Sequence, residues 1–118
     1  MQRPLPRPLI VVRRPYFDEF VSGTKTIEFR RHRRPFTERV YYPGRRVVIT
    51  FRYNLAPRLP AIVVRFESKP LIQVPDMIGF YSDMEMLDEV ALIHLAISDE
   101  DRELTHFALS QYVQRSAA

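Results

Sequence analysis

The sequence predicts an α+β fold: a small mixed β-barrel with a short N-terminal helix and an added C-terminal helix. Three observations carry this. Several short apolar runs have a period of two and are separated by turn residues. Only two stretches show helical spacing, one near each end of the chain. And 118 residues, 46% of them apolar, are enough for one domain with a genuine core.

The elements follow in order. Residues 1–8 alternate proline with arginine or leucine and are expected to form an extended basic arm. The single domain then runs from 9 to 118. Leu9 to Arg13 is a first strand. Residues 15–22 form a helix: Pro15 suits its first position, where no N–H is needed. Asp18 and Glu19 are expected near its positive end. Phe17, Phe20 and Val21 make its apolar face, and Gly23 supplies the left-handed stop. From Thr26 the period becomes two, with Ile27 and Phe29 on one side and Thr26, Glu28 and Arg30 on the other.

Residues 32–44 are irregular and close on the turn Pro43-Gly44. Arg46 to Tyr53 is a strand with Val47, Ile49, Phe51 and Tyr53 on one face. Ala61 to Glu67 is another, with Ile62, Val64 and Phe66 facing inward. Residues 70–87 read as a long loop with a helical turn, and 89–97 as a strand. Ser98 is an N-cap for a helix over 99–114, whose apolar face is Leu104, Phe107, Ala108, Tyr112 and Val113.

Charge is distributed unevenly. Residues 1–60 hold 14 Lys/Arg against 4 Asp/Glu, and residues 61–118 hold 4 against 10, so a basic half precedes an acidic one. Sixteen of the 18 cations are arginine, whose planar fork suits phosphate and base edges. A compositional bias toward arginine explains the excess equally well, but not the asymmetry. With no cysteine, disulfides, thiolate zinc sites and a cysteine nucleophile are excluded, in accord with a reducing, cytoplasmic setting. No apolar run approaches the length of a membrane span, and no signal-peptide stretch precedes Arg13 and Arg14, so no membrane partner is expected.

The chemistry-bearing stretch is Gly23-Thr24-Lys25-Thr26-Ile27-Glu28-Phe29-Arg30 followed by Arg31-His32-Arg33-Arg34. A lysine, a glutamate and an arginine within six residues of an apolar framework suggest a site, and the basic run suggests an anionic ligand. The plainer alternatives are a surface ion pair between Lys25 and Glu28 and a solvated basic loop. Arg31, Arg33, Arg34, Arg45 and Arg46 are the candidates for contact with a nucleic-acid backbone. Tyr41 and Tyr42, just before the Pro-Gly turn, are the expected exposed stacking surfaces, and Tyr16 and Phe36 read as packing residues. His94 sits in an apolar strand as a buried, hydrogen-bonded histidine. The acids over 76–89 solvate a loop or mask basic surface on a partner. No metal-ligand spacing, Gly-rich phosphate loop or Ser/His/Asp signature is present, so neither metal nor cofactor is expected.

Across residues 9–97 the chain resembles the ASCH domain family of the PUA-like superfamily. The resemblance rests on Ile10-Val11-Val12-Arg13, Arg14-Pro15-Tyr16-Phe17, the stretch from Gly23 to Arg30, Pro43-Gly44-Arg45-Arg46-Val47-Val48-Ile49 and Ala91-Leu92-Ile93-His94-Leu95. It implies a PUA-like barrel whose cleft is lined by Lys25 and Glu28, with Thr26, Arg30, Arg14 and His94 as further ligand-binding residues. It also implies single-stranded RNA, a nucleotide or a modified nucleoside as partner. Some relatives resemble hydrolases, so Lys25 and Glu28 are the catalytic pair if the chain is an amidohydrolase or ribonuclease. Where the amidohydrolase group carries a threonine three residues after the lysine, this chain has Glu28. A third reading is a regulator that binds a protein partner through its acidic half.

Overall fold

The computed structural model describes residues 6–117; residues 1–5 of the expected basic arm lie outside them. It is an α+β structure of five strands and two helices. These are β1 (Leu9–Val11), α1 (Arg14–Ser22), β2 (Ile27–Arg31), β3 (Arg46–Thr50), β4 (Leu59–Pro70), β5 (Glu89–Ala96) and α2 (Asp99–Ala117). Single 3-10 turns at Leu71–Gln73 and Pro75–Met77 occupy the loop before β5. No described helix is long and apolar enough to cross a membrane.

The strands hydrogen-bond in the order β1-β3-β4-β5-β2. β1 runs parallel to β3, and β3–β4 and β2–β5 are antiparallel, so the sheet is mixed. It is open, with β1 and β2 as its edges, where the sequence led us to expect a closed barrel. β1 contributes only three residues to the ladder, and Pro6 and Pro8 just before it have no N–H to extend it.

The chain groups into two compact units. Of the described residues, the first comprises those up to 26, 46–62 and those from 96 on, and the second residues 27–45 and 63–95, so β4 contributes to both.

In the first unit, Phe17, Phe20 and Val21 of α1 are buried as their spacing predicts. Full burial of each phenylalanine ring contributes about 1.5–3 kcal/mol. Gly23 ends α1 at φ +87°, its N–H bonded to the Phe20 carbonyl. The helix begins at Arg14, one residue earlier than expected. This moves Asp18 and Glu19 out of the first turn, and Asp18 instead accepts a 3.0 Å hydrogen bond from Arg14 Nε, an i, i+4 pair.

β3 stops at Thr50 and does not continue to Tyr53. The Thr50 hydroxyl lies within hydrogen-bond distance of the Arg52 and Pro57 carbonyls, which turns the chain into a loop and leaves Tyr53 exposed. Phe51 still packs, edge-on to Phe17 and to Tyr112 of α2.

Ser98 caps α2 by accepting from the Asp101 N–H. The buried stripe of α2 is Thr105 and Leu109, with Ala108 and Tyr112 beside it, whereas Leu104, Phe107 and Val113 of the expected apolar face are exposed. Apolar residues surround this helix on all sides, so periodicity does not select a face. Thr105 settles it, its hydroxyl donating to the Arg58 carbonyl.

The phase of β4 is also opposite to the expectation. Leu59, Ala61 and Val63 are buried, while Ile62 and Val64 are exposed. The run Leu59-Pro60-Ala61-Ile62-Val63-Val64 is apolar at both parities, so a one-residue slip costs the pattern nothing. The ladder with β3 fixes it by setting Val47 opposite Ala61 and Ile49 opposite Leu59.

In the second unit, Leu71, Val74 and Met77 pack with Val90 and Leu92 of β5, and Ile27, Phe29, Tyr81 and Met84 close around them. Ile27 and Phe29 therefore face this cluster, and Glu28 and Arg30 face the opposite side of β2.

Candidate nucleic-acid interface

Glu28 is buried at 5% exposure, and its surroundings explain how a carboxylate is tolerated there. Oε2 accepts from Arg30 Nε at 3.1 Å and from Nη2 at 2.9 Å, and Oε1 accepts from the Phe29 N–H at 3.3 Å. Charge-assisted bonds from a fixed guanidinium offset the desolvation that burial imposes. The carbon of that guanidinium lies 4.7 Å from the Phe36 ring centre. Phe36 stacks on Tyr41 with ring centres 5.7 Å apart and planes 13° apart. Carboxylate, guanidinium and two rings thus form a column that seats residues 36–41 on the sheet.

Tyr41 is the plug of this column, not the exposed stacking surface expected from its place before the Pro-Gly turn. It is 2% exposed, and burial pushes its hydroxyl pKa up. Tyr42 fits the expectation: its ring is exposed, and Arg45 Nη1 donates to its hydroxyl at 3.0 Å with the guanidinium 5.5 Å from the ring centre. Arg33, Arg34 and Arg39 are exposed on the same loop. Arg31, though expected to meet phosphate, is turned inward. Its guanidinium pairs with Asp83 and lies 5.1 Å from the Tyr81 ring centre. The hydrogen bond from Arg31 holds the Asp83 carboxyl below its ordinary range.

His94 is half-buried. Its Nε2 lies 3.0 Å from Glu67 Oε1, off the hydrogen-bonding direction, so the two attract by charge when the ring is protonated. Burial alone would raise the Glu67 pKa, but Lys69, Arg65 and His94 together hold it below its usual value.

The remaining candidates belong to the first unit. The Lys25 ammonium lies 5.5 Å from the Tyr16 ring centre and 5.3 Å from that of Phe20, and its backbone N–H bonds to the Glu19 carbonyl. Thr26 and Arg46 are exposed. Arg14 combines its bond to Asp18 with a position 4.8 Å from the Phe51 ring centre.

Phe36 packs as the sequence reading expected, whereas Arg39 and the anchoring role of Tyr41 escaped it. The available signal was the density of arginine and aromatic residues over 30–45, which marks the loop but not which residues turn inward. Comparison of the chain with protein-family models, with curated proteins and with solved structures yields no match.

Proposed function

We propose that this chain is an ASCH-type domain that binds single-stranded RNA or a nucleotide through the arginine loop over residues 33–45. The observation that carries the reading is the division of labour within the loop. Arg30, Phe36 and Tyr41 anchor it, while Arg33, Arg34 and Arg39 stand in solvent beside the exposed, arginine-backed ring of Tyr42. Exposed guanidinium groups on an anchored loop suit phosphate oxygens, and an exposed ring suits a stacked base. Glu28 contributes by positioning Arg30. That role favours binding over hydrolysis, because the Glu28 carboxylate is buried with Oε2 taken up by Arg30 and Oε1 by the Phe29 N–H.

Fluorescence anisotropy of a short single-stranded RNA, titrated at several salt concentrations, tests this. Each phosphate contact contributes about −0.7 to the log–log slope. Replacing Arg33, Arg34 and Arg39 together by alanine should flatten the slope by about 2. An unchanged slope would remove the loop from the interface. Lys25→Met separates the two functional readings: acylated cytidines turned over by the parent and not by this variant would establish the hydrolase instead.

A further inference from the structure

The backbone of residues 34–43 makes no hydrogen bond to β4 or β5 among the described residues. Its bonds are internal turns such as Phe36 N–H to the Arg33 carbonyl and Tyr41 N–H to the Thr37 carbonyl. Beside the Arg30-Phe36-Tyr41 column, a chain of side chains ties the loop down. Glu38 Oε2 lies 2.9 Å from His32 Nε2, His32 Nδ1 lies 2.7 Å from Ser68 Oγ, and Ser68 Oγ lies 2.8 Å from Glu89 Oε2. His32 is itself fixed, its N–H bonded to the Glu89 carbonyl and its ring 5.4 Å from that of Phe66.

The hydrogens in this chain can be assigned by counting donors. An ionised carboxylate only accepts. The Ser68 hydroxyl therefore gives its single proton to Glu89 and must accept from His32 Nδ1–H. Glu38 likewise needs His32 Nε2 to carry a proton. All three contacts are satisfied together only when His32 is the imidazolium. A neutral ring has one N–H, so one link fails: Nε2 turns a lone pair toward the Glu38 carboxylate, or Nδ1 takes the serine proton away from Glu89.

We propose that Glu38, His32, Ser68 and Glu89 form a proton-controlled latch that fastens the arginine loop to β4 and β5 and weakens when His32 loses its second ring proton, because the neutral ring keeps Glu38 only in the tautomer that costs Ser68 its bond to Glu89. The groups facing the ring are Glu38 from the loop, Ser68 and Phe66 from β4 and Glu89 from β5. Arg31, Arg33, Asp83 and Asp88 line the hollow beside it, and Asp83 is taken up by Arg31. Glu38 is held below the ordinary glutamate pKa, first by a backbone hydrogen bond and then by the bond from His32. It therefore stays ionised across the range in which histidines change charge, about pH 5 to 8, which leaves His32 as the switching group. Resting on the reading that this loop binds RNA, the latch makes binding pH-dependent: a fastened loop presents Arg33, Arg34 and Arg39 in one arrangement, and a released loop must be ordered again on binding.

Amide hydrogen exchange by NMR, corrected for intrinsic rates and run without nucleic acid, tests the latch apart from the binding. In the parent, protection of the Val40 and Tyr41 amides should fall about threefold as pH rises from about 5.5 to 8. In Glu38→Ala, whose side chain is exposed and whose loss does not threaten the fold, protection should sit at the released level at every pH. His94→Gln should retain the parent's pH response. A parent profile flat with pH, or a Glu38→Ala profile that still falls with pH, overturns the latch. RNA titration at both pH values reads the consequence. The parent should lose more affinity than Glu38→Ala on raising the pH, and equal losses overturn the coupling to binding.

Discussion

The second unit contains two long connections that solve the same problem differently. The acidic loop between β4 and β5 inserts Leu71, Val74 and Met77 against Val90 and Leu92. It closes with Leu71 N–H to the Asp88 carbonyl and Ile72 N–H to the Met86 carbonyl. The basic loop between β2 and β3 is held by an aromatic plug, a buried Glu28–Arg30 pair and the His32 chain. Apolar anchoring depends little on pH or salt; ionic anchoring depends on both. The loop offered as the ligand surface thus adds conditional ionic ties to its aromatic anchor, and the loop bearing the acids is fixed mainly by packing.

The comparison breaks first at Tyr41. Tyr41→Ala removes a ring that is 2% exposed and strips Phe36 of its stacking partner. We expect a loss of about 3–5 kcal/mol, as for other buried aromatic residues, read by denaturant unfolding. A loss under ~1 kcal/mol, the scale of an ordinary surface substitution, would mean that the basic loop has no apolar anchor. Leu71→Ala makes the matching cut in the acidic loop. It should cost about 2–5 kcal/mol, as for other buried leucines. The loss should be the same at low and high salt, and RNA affinity should match the parent's. A marked salt dependence of that loss would dissolve the contrast between the two loops.

The two loops also differ in how far the sequence disclosed them. Helix α1 and its stop at Gly23 were legible because the signals are local: a proline, an i, i+3, i+4 face and a glycine with positive φ. The strands β2 and β5 and the Ser98 cap were legible for the same reason. The phase of β4 was not, since its apolar run reads the same at either parity, and the buried face of α2 was not, since Leu104, Phe107 and Val113 compete with Thr105 and Leu109. At the candidate site the arginines were visible as a run, but their roles were not. Arg31 turns inward only because Asp83, 52 residues further along the chain, comes to meet it. His32 and Ser68 are 36 residues apart and Ser68 and Glu89 are 21 apart, so no sequence motif joins them. Tyr41 looked exposed because a Pro-Gly turn follows it, yet the fold places it against Phe36 as the plug. Local chemistry gives local structure, and which polar residues meet is decided by pairing between distant segments.

The smallest expected effect concerns the ion pair that links the loops. Asp83 pairs with Arg31, and the hydrogen bond from that guanidinium lowers its pKa. A carboxyl whose folded pKa lies below its unfolded value stabilises the fold in its ionised form. That contribution is complete above the unfolded aspartate value, about 3.9, and is lost as pH falls through the depressed folded value. The melting temperature of Asp83→Asn should therefore lie slightly below the parent's by a constant margin above about pH 5, and the two should converge as pH drops below about 4. The side chain of Asp83 is largely exposed at 72%, so solvent screening keeps the margin small and added salt should shrink it further. Because Asp83 takes no part in the proposed latch, the Asp83→Asn protein should keep the parent's loss of loop protection between about pH 5.5 and 8. If that response disappeared with Asp83, the arginine loop would be fastened through Arg31 rather than through Glu38, and the contrast between an ionically latched loop and an apolar-anchored one would have to be redrawn around the link between them.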